Sequence, residues 1–507
     1  MRLLGLYLGR HDSNATLVDD GAVRYFKSER MLGLKHHRAP LDWVAEICET
    51  VDFVPEAVVF SDGDRNGLGV CERASLWQKV PSLPIFAPTT PTYCVDHHLA
   101  HILSAWPLVP IEDVDYGVVI DGKGDHMVRV SVLGKPGAAQ PVPLLRSTDH
   151  AFCLVFDCIG AGMGLSGGEL DFAGKVMGAH AYGVVDQEYV ARHHRDEIRR
   201  NPLWLVDRVP WRGSRPSEHS GFFDFHDDSF RSWLASVHRL LEEFVLDTFT
   251  ELVPGDATVV YAGGAAQNTV INERIFHHYP QLVIPPHCYD GGLSLGCVEL
   301  LRTRLELPAF NAGGFPFWQS DPHGGFATSR TVERVARHLA DGKIVGWFQG
   351  RGEVGPRALG HRSILLDGSR PDGKDYLNAT VKHREHWRPY AGALLEATMG
   401  EVVESSAPSP YMLRAIRVHE AARSSAPAIV HVDGTSRVQS VAADEPEIAS
   451  FAQLIAVTQE LTGSPAVLNT SMNGNGQPIV STPEQALDLW RTTPMDVLCI
   501  GDSLWEK

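Results

Sequence analysis

The chain of 507 residues lacks any pair of cysteines at C-x-x-C spacing; its eight cysteines stand singly. That argues against a disulfide framework and a thiolate zinc site, and leads to the expectation of a reducing, cytoplasmic compartment. Long apolar runs are missing too: none approaches the ~18 residues that a membrane helix needs. The opening MRLLGLYLGRHD meets charge too early for a signal sequence and reads as a buried strand. Basic residues are in the minority, 45 Lys and Arg against 62 Asp and Glu, for a formal net charge of −17. Holding a phosphate backbone needs a broad basic face, so neither nucleic acid nor a membrane is expected as a partner. There is no low-complexity tract and no short-period repeat. What remains, 44% apolar and 21% charged residues, is the composition of a soluble globular enzyme. Its length calls for two or three domains.

Turn signals and periodicity divide the chain. LLGLYLG, RHDSNA and TLVDDGAVRYFKSER read as a strand, a polar turn and a hairpin closed by DDG. Residues 41–52 read as a helix, AVVFSDG as a buried strand running into a loop, and HHLAHILSAW as a helix. YGVVIDGKGDHMVRVSVL reads as two strands around a glycine-rich turn, and residues 150–190 as helices rich in glycine and alanine. Over residues 228–253, Phe230, Trp233, Leu234, Val237, Leu240, Leu241, Phe244 and Val245 recur at helical spacing. TVVYAGGAAQNTVINERIF is strand, glycine turn, helix. Leu307–Gly325, with prolines, glycines and no periodicity, marks a domain boundary. Beyond it TVERVARHLADGK reads as a helix and IVGWFQG as a strand. Strands alternating with helices on both sides predict an α/β architecture. Two strand–polar turn–strand units, GLYLGRHDSNATLVDDG and YGVVIDGKGDHMVRVSVLG, echo each other and are followed by the GG turn of YAGGAAQN. That is the layout of an actin-like, sugar-kinase-type (ASKHA) ATPase fold.

The cations that do occur are concentrated late in the chain. QGRGEVGPRALGHRSILLD (Gln349–Asp367) carries Arg351, Arg357 and Arg362, the last followed by Ser363; LNATVKHREHWRPY adds Lys382, Arg384 and Arg388. Set among glycines and small polar residues, they describe loops whose guanidinium forks and backbone N–H groups face a polyanion. The competing reading is a basic strip on an acidic surface. Lys382-x-Arg384, with Ser471-x-Asn473 of VLNTSMNGNGQPIV, sets a cationic pair on one element against a hydroxyl and amide pair on another. Such a set can grip a phosphate and a planar acyl group from both sides.

In DHHLAH, His97 and His101 stand four apart on the expected helix and share a face, as a two-histidine metal site requires. Asp121 ends a strand in DGKGD and Asp290 precedes a glycine turn in CYDGG, both placed to point into a cleft. Two His with one or two Asp suit iron or another first-row cation. In a chain with 24 histidines, such a pair also arises by chance. His11 and Asp12 stand in the first turn, where the imidazole can take a proton from an attacking hydroxyl, touch a phosphate, or simply cap the turn. Glycines around Lys175 in AGKVMGAHAYG let a ligand, or a second helix, come close. YAGGAAQN is a strand ending in Gly263-Gly264, a turn that fits against an adenosine. Residues 184–227, rich in Arg, His and Trp, read either as the lining of an acceptor pocket or as a solvated insertion.

Taken together, these motifs resemble the O-carbamoyltransferases of nodulation-factor and antibiotic pathways. The resemblance runs in order through GRHDSNATLVDDG, ERMLGLKHH, DHHLAH, DGKGD, GKVMGAHAYG, YAGGAAQN, YDGGLSLG, EVGPRALGHRSI, LNATVKHREHWRPY and LNTSMNGNGQPIV. It implies an actin-like domain over residues 1–315 and, over residues 326–507, a domain similar to the YrdC-type fold of tRNA-threonylcarbamoyladenosine enzymes. In the family the second domain forms carbamoyl-adenylate from carbamoyl phosphate and ATP, with Mg as companion. The first transfers the carbamoyl group to a hydroxyl of a small secondary-metabolite acceptor and releases AMP. Residue by residue, Lys382, Arg384, Ser471 and Asn473 match the adenylate-forming motif, and the other arginines, Ser363, Lys175, Gly263, Gly264 and Asn268 are matched to substrate or nucleotide. His97, His101, Asp121 and Asp290 match ligands of a metal, usually iron, with manganese or zinc as alternatives; His11 and Asp12 fall to the acceptor hydroxyl. An amine acceptor, a non-catalytic nucleotide binder and a tRNA-modifying protein are the other classes, and the charge of −17 counts against the last. A homodimer is left open. The chain is short for the group and departs from its pattern in RPYAGA for RPFAP, GQP for GEP and MGAHAYG for MGLAPYG. These changes bear on acceptor recognition and nucleotide contacts.

Overall fold

The computed structural model describes residues 1–61, 75–207, 222–320 and 324–507. Asp62 and Gly63 of the AVVFSDG reading, and residues 208–221 and 321–323 of the two longer segments singled out above, lie outside that set. Contacts divide the chain into one unit of Met1–Glu29 with His36–Gly313, and a second of Arg30–Lys35 with Gly314–Lys507.

The first unit is built on two mixed sheets. One comprises β1 (Arg2–Tyr7), β2 (Asn14–Asp19), β3 (Ala22–Lys27), β4 (Ala57–Ser61), β5 (Trp77–Val80) and β6 (Thr92–Val95), in the order β3-β2-β1-β4-β6-β5. The other comprises β7 (Tyr116–Ile120), β8 (Val130–Gly134), β9 (Val142–Ser147), β10 (Val259–Ala262) and β11 (Leu282–Val283), in the order β11-β10-β7-β8-β9. In both, three antiparallel strands form a meander whose first strand is extended by two parallel ones; in the first sheet β5 then closes the edge antiparallel to β6. The echo between the two strand–turn–strand segments is therefore a repeated topology. The DDG turn holds Asp20 and Gly21 at φ 46° and 84°, the left-handed pair that a tight hairpin matched to strand twist requires.

Side chains alternate across β1. Leu4 and Leu6 pack with Trp43, Val44 and Ile47 of the helix Leu41–Thr50. On the opposite face Gly5 lies against the helix Leu293–Arg304, where a Cβ would stand 2.3 Å from the Ser294 carbonyl oxygen. The histidine helix is shorter than expected, His97–Leu103, because the Ser104 hydroxyl donates to the His101 carbonyl at 2.7 Å and ends it.

The second unit has one eight-stranded sheet: β12 (Val345–Phe348), β13 (Arg362–Asp367), β14 (Ala391–Leu395), β15 (Ala415–Arg417), β16 (Thr435–Val441), β17 (Val467–Ser471), β18 (Val497–Ile500) and β19 (Ser503–Glu506). Their order is β15-β16-β14-β17-β13-β12-β18-β19, with parallel and antiparallel pairs. Trp347, Leu365 and Val467 face one core with Val335 and Leu339 of the helix Ser329–Ala340 and Leu454 and Ile455 of the helix Ala449–Thr462. Phe348, Ile364, Leu366 and Leu468 face the other. The class is α/β with mixed sheets, and among the described residues no helix is long and apolar enough to cross a membrane.

Candidate metal centre and cation cluster

In the first unit, four residues far apart in sequence converge where β7 and β10 end. Asp96 caps the helix His97–Leu103, accepting from the N–H groups of His98 and Leu99. This sets His97 and His101 on one face, ring centroids 4.8 Å apart. The Nε2 of His97 lies 3.1 Å from Asp121 Oδ2 and 3.4 Å from Asp290 Oδ1. The Nε2 of His101 lies 3.5 Å and 3.4 Å from the same two oxygens. All four residues are buried, and one donor atom from each lies within 4.8 Å of every other.

The remaining carboxylate oxygens are spoken for. Asp121 Oδ1 accepts the N–H of Gly122 at 2.8 Å and of Gly264 at 3.0 Å; Asp290 Oδ2 accepts the Tyr7 hydroxyl. Each carboxylate is thus oriented by one oxygen and offers the other, as metal ligands commonly are. Burial opposes charge here, yet Asp290 and Asp121 hold the His97 imidazole well above its ordinary value, and the two imidazoles hold Asp121 well below its own. His101 Nε2 makes no hydrogen bond of normal geometry although it is buried. Two imidazole nitrogens, two carboxylate oxygens and no thiolate fit a first-row divalent cation with positions left open.

Two other groups are less suited. Asp12, Glu29 and His36 lie close together, but the Lys27 ammonium fills the place of a cation, 3.0 Å from Asp12 Oδ1 and 2.5 Å from Glu29 Oε1. His180 and His238 stack at 3.9 Å with 9° between their planes, so their in-plane lone pairs run side by side rather than converge.

Of the other residues picked out in the first unit, His11 and Gly264 adjoin this centre. Asp12 sits at φ 56°, and its Oδ2 lies 2.9 Å from His11 Nδ1; His11 Nε2 lies 3.8 Å from Asp290 Oδ2. Gly263, at φ 93°, leaves no room for a Cβ, which would meet the Ile120 carbonyl oxygen at 2.4 Å; Gly264 touches Asp121 as above. Asn268 is occupied with the fold itself: its Oδ1 caps the helix Thr269–Phe276 and its Nδ2 lies 3.1 Å from His238 Nε2. Lys175 donates to the Ser166 carbonyl at 2.6 Å.

In the second unit, Lys382 Nζ donates to Ser471 O at 2.8 Å, Asn473 O at 3.0 Å and Asn473 Oδ1 at 2.6 Å. Three oxygens satisfy its three protons, while burial, Arg384 and Arg388 press its pKa well below the lysine range. Arg384 stacks on Tyr390 at 3.9 Å, and burial leads the causes that bring it down to about 10. Arg388 pairs with Glu385 at 3.6 Å. Arg437 on β16 joins them: burial first, then Arg357, Arg384 and Arg388, lowers its pKa strongly. Sequence reasoning missed Arg437, Lys27, His36 and Tyr7. Tyr7 ends a largely apolar strand, RLLGLY, a weak signal; Arg437 lies in the polar strand TSRVQSV, which offers none.

Two arginines stand apart from the cluster. Arg351 is exposed on its loop. Arg362 is fully buried and spends its guanidinium on the Gln349, His361 and Gly350 carbonyls while lying 3.6 Å over the Phe348 ring. With Glu353, whose Oε1 accepts the N–H groups of Leu359, His361 and Arg362, it shapes the loop from inside. Ser363 is buried opposite Ser471 across β13 and β17.

A family model described as carbamoyltransferase N-terminus matches residues 85–298, and one described as carbamoyltransferase C-terminus matches residues 336–507. The nodulation protein NolO of Bradyrhizobium diazoefficiens is 31% identical, over 82% of this chain and 79% of its own length. The nodulation protein NolNO of Sinorhizobium fredii is 28% identical, over 98% of this chain and 79% of its own. The 3′-hydroxymethylcephem-O-carbamoyltransferase of Streptomyces clavuligerus is 24% identical over 98% of both chains. The buried histidine–aspartate centre lies within the first matched span and the lysine–arginine cluster within the second, and on these matches the chain belongs to the carbamoyltransferase family of enzymes.

Proposed function

We propose that the protein is an ATP-dependent O-carbamoyltransferase that acts on a small hydroxylated acceptor. The observation that carries this reading is the pairing, in one chain, of an under-neutralised cation cluster in one unit with a buried two-histidine, two-aspartate centre in the other. In it, residues 326–507 act as a YrdC-like activating domain and residues 1–315 as an actin-like transfer domain. The repeated sheet topology of the first unit supports the second assignment.

Carbamoyl phosphate is hydrolysed to carbamate and phosphate. A carbamate oxygen then attacks the α-phosphorus of Mg-bound ATP, forming carbamoyl-adenylate and expelling pyrophosphate. Lys382, Arg384, Arg388, Arg357 and Arg437 face the negative charge gathered in that step; burial first, and then neighbouring cations, hold Lys382, Arg384 and Arg437 below their ordinary pKa, and an arriving anion offsets both effects. Ser471 and Asn473 hold Lys382 in place and offer a hydroxyl and an amide to the planar carbamoyl group. Arg362 and Glu353 keep the loop in shape.

For transfer, the acceptor hydroxyl attacks the carbamoyl carbon, the bond to the AMP oxygen breaks, and the hydroxyl proton passes to His11. Asp12, on His11 Nδ1, leaves Nε2 as the bare nitrogen that takes it. His97, His101, Asp121 and Asp290 would hold iron or a related divalent cation, which when bound polarises the carbonyl and offsets charge on the leaving phosphate. Burial of this centre keeps water from a mixed anhydride that hydrolyses readily.

The test is carbamoyl-phosphate-dependent exchange of labelled pyrophosphate into ATP. Wild-type protein should exchange and Lys382→Ala should not. A folded, metal-loaded wild type without exchange would overturn the activation step.

A further inference from the structure

His36 lies outside the residues that the reaction above employs, yet it shares an atom with them. Its Nδ1 is 3.2 Å from Asp12 Oδ2, the same oxygen that His11 Nδ1 meets at 2.9 Å. A carboxylate oxygen has two lone pairs, so it accepts both imidazole N–H groups. The other oxygen of Asp12 faces Lys27, whose ammonium also holds Glu29. Glu29 in turn accepts the backbone N–H of His36 at 3.0 Å. Asp12, Lys27, Glu29 and His36 therefore close a ring of contacts within the first unit, and the His11 imidazole hangs from it.

The ring leaves the Asp12 carboxylate little freedom to turn. Asp12 and His36 have φ 56° and 54°, left-handed conformations that these residues keep only where their surroundings enforce them. The His36 and His11 rings meet edge to face at 84°, so the two N–H groups reach Oδ2 from different directions. Without the His36 N–H, that oxygen answers to His11 alone and can swing toward Lys27. His11 then loses both its fixed tautomer and the aim of Nε2, which lies 3.8 Å from Asp290. The second nitrogen of His36 lies 3.4 Å from Asp171 Oδ1.

We infer that His36 is a positioning residue for carbamoyl transfer: acting through Asp12, it holds His11 with Nε2 directed at the attacking hydroxyl. The inference rests on the proposed function, and its test separates the two. In protein labelled with 15N-histidine, long-range proton–nitrogen correlation reads the His11 tautomer directly, with His11→Gln identifying the signal. AMP release from ATP and carbamoyl phosphate, with glycerol as the hydroxyl probe, reads transfer; pyrophosphate exchange reads activation.

His36→Ala should leave exchange unchanged, mix the His11 tautomers and lower AMP release about tenfold or more, a loss of the size that misorientation produces. His36→Asn restores a donor at the Nδ1 position and should recover both signals. His36→Gln, which reaches instead toward Asp171, should not. A single unchanged His11 tautomer in His36→Ala, or full AMP release from that variant, overturns the inference. Rescue by His36→Gln but not by His36→Asn also overturns it, since Asp171 rather than Asp12 would then be the partner that matters. No glycerol-dependent AMP release from wild type, with the tautomer responding to His36 as expected, would strike the transfer reading and leave the positioning intact.

Discussion

Single hydrogen bonds orient the carboxylates of the candidate metal centre. Tyr7 donates to the oxygen of Asp290 that turns away from the histidines. Tyr7→Phe keeps the packing and removes that donor, so metal affinity should fall by roughly 10–100-fold. Competition with a chromophoric chelator measures it; an unchanged affinity would mean that the tyrosine does not orient the carboxylate. Glu242 shows the same dependence in stability. Burial alone would raise its pKa, but the N–H of His238 leads the contacts that bring it from 4.5 down to about 2. A depressed carboxylate stabilises the fold above its unfolded pKa and loses that contribution as the pH falls through the folded one. Between about pH 4.5 and 2 the wild type should therefore lose on the order of 3 kcal/mol that Glu242→Gln does not. Urea titrations of both proteins across that window give the difference; parallel curves would count against the paired, ionised glutamate.

One helix carries the two histidines of the centre, and its approach to a second depends on one residue without a side chain. The helix Leu293–Arg304 follows Asp290, and it crosses the helix of His97 and His101 so closely that a Cβ on Gly296 would lie 1.8 Å from the Ala100 carbonyl oxygen. Gly296→Ala must push the two helices apart. The protein should bind metal less tightly and melt several degrees lower, a ~1–3 kcal/mol overpacking penalty; chelator competition and calorimetry both read it. Elements of this kind were legible in the sequence where their causes are local. The histidine helix showed through its spacing and the first hairpin through DDG. That Gly296 is a crossing point was not legible, because its neighbour Ala100 belongs to another part of the chain. Asn268 reads as a nucleotide contact from its place after a glycine turn; that its amide also caps a helix and meets His238 emerges only from the structure. Arg362 reads as an anion ligand in the sequence, and the structure sets its guanidinium against backbone carbonyls.

On the scale of the molecule, the cation cluster and the metal-type centre belong to different units. Their losses should be separable. Lys382→Ala should abolish pyrophosphate exchange while metal content, read by mass spectrometry, stays that of the wild type. Asp121→Asn should do the reverse, keeping exchange and losing the metal. If either substitution removed both properties from a folded protein, activation and transfer would not reside in separate sites.

The sequence by itself determined the α/β class, the family and the positions of both constellations. These follow from period, turn chemistry and short motifs, all of which act over a few residues. The tertiary structure decided which of the marked residues meet. It joined His97 and His101 to Asp121 and Asp290, brought Arg437 into the lysine–arginine cluster, and withdrew Arg362 into the loop it shapes. It also closed the ring of Asp12, Lys27, Glu29 and His36. Such meetings depend on sheet order and helix crossings, which arise from burial across the whole core and leave no local trace in the chain.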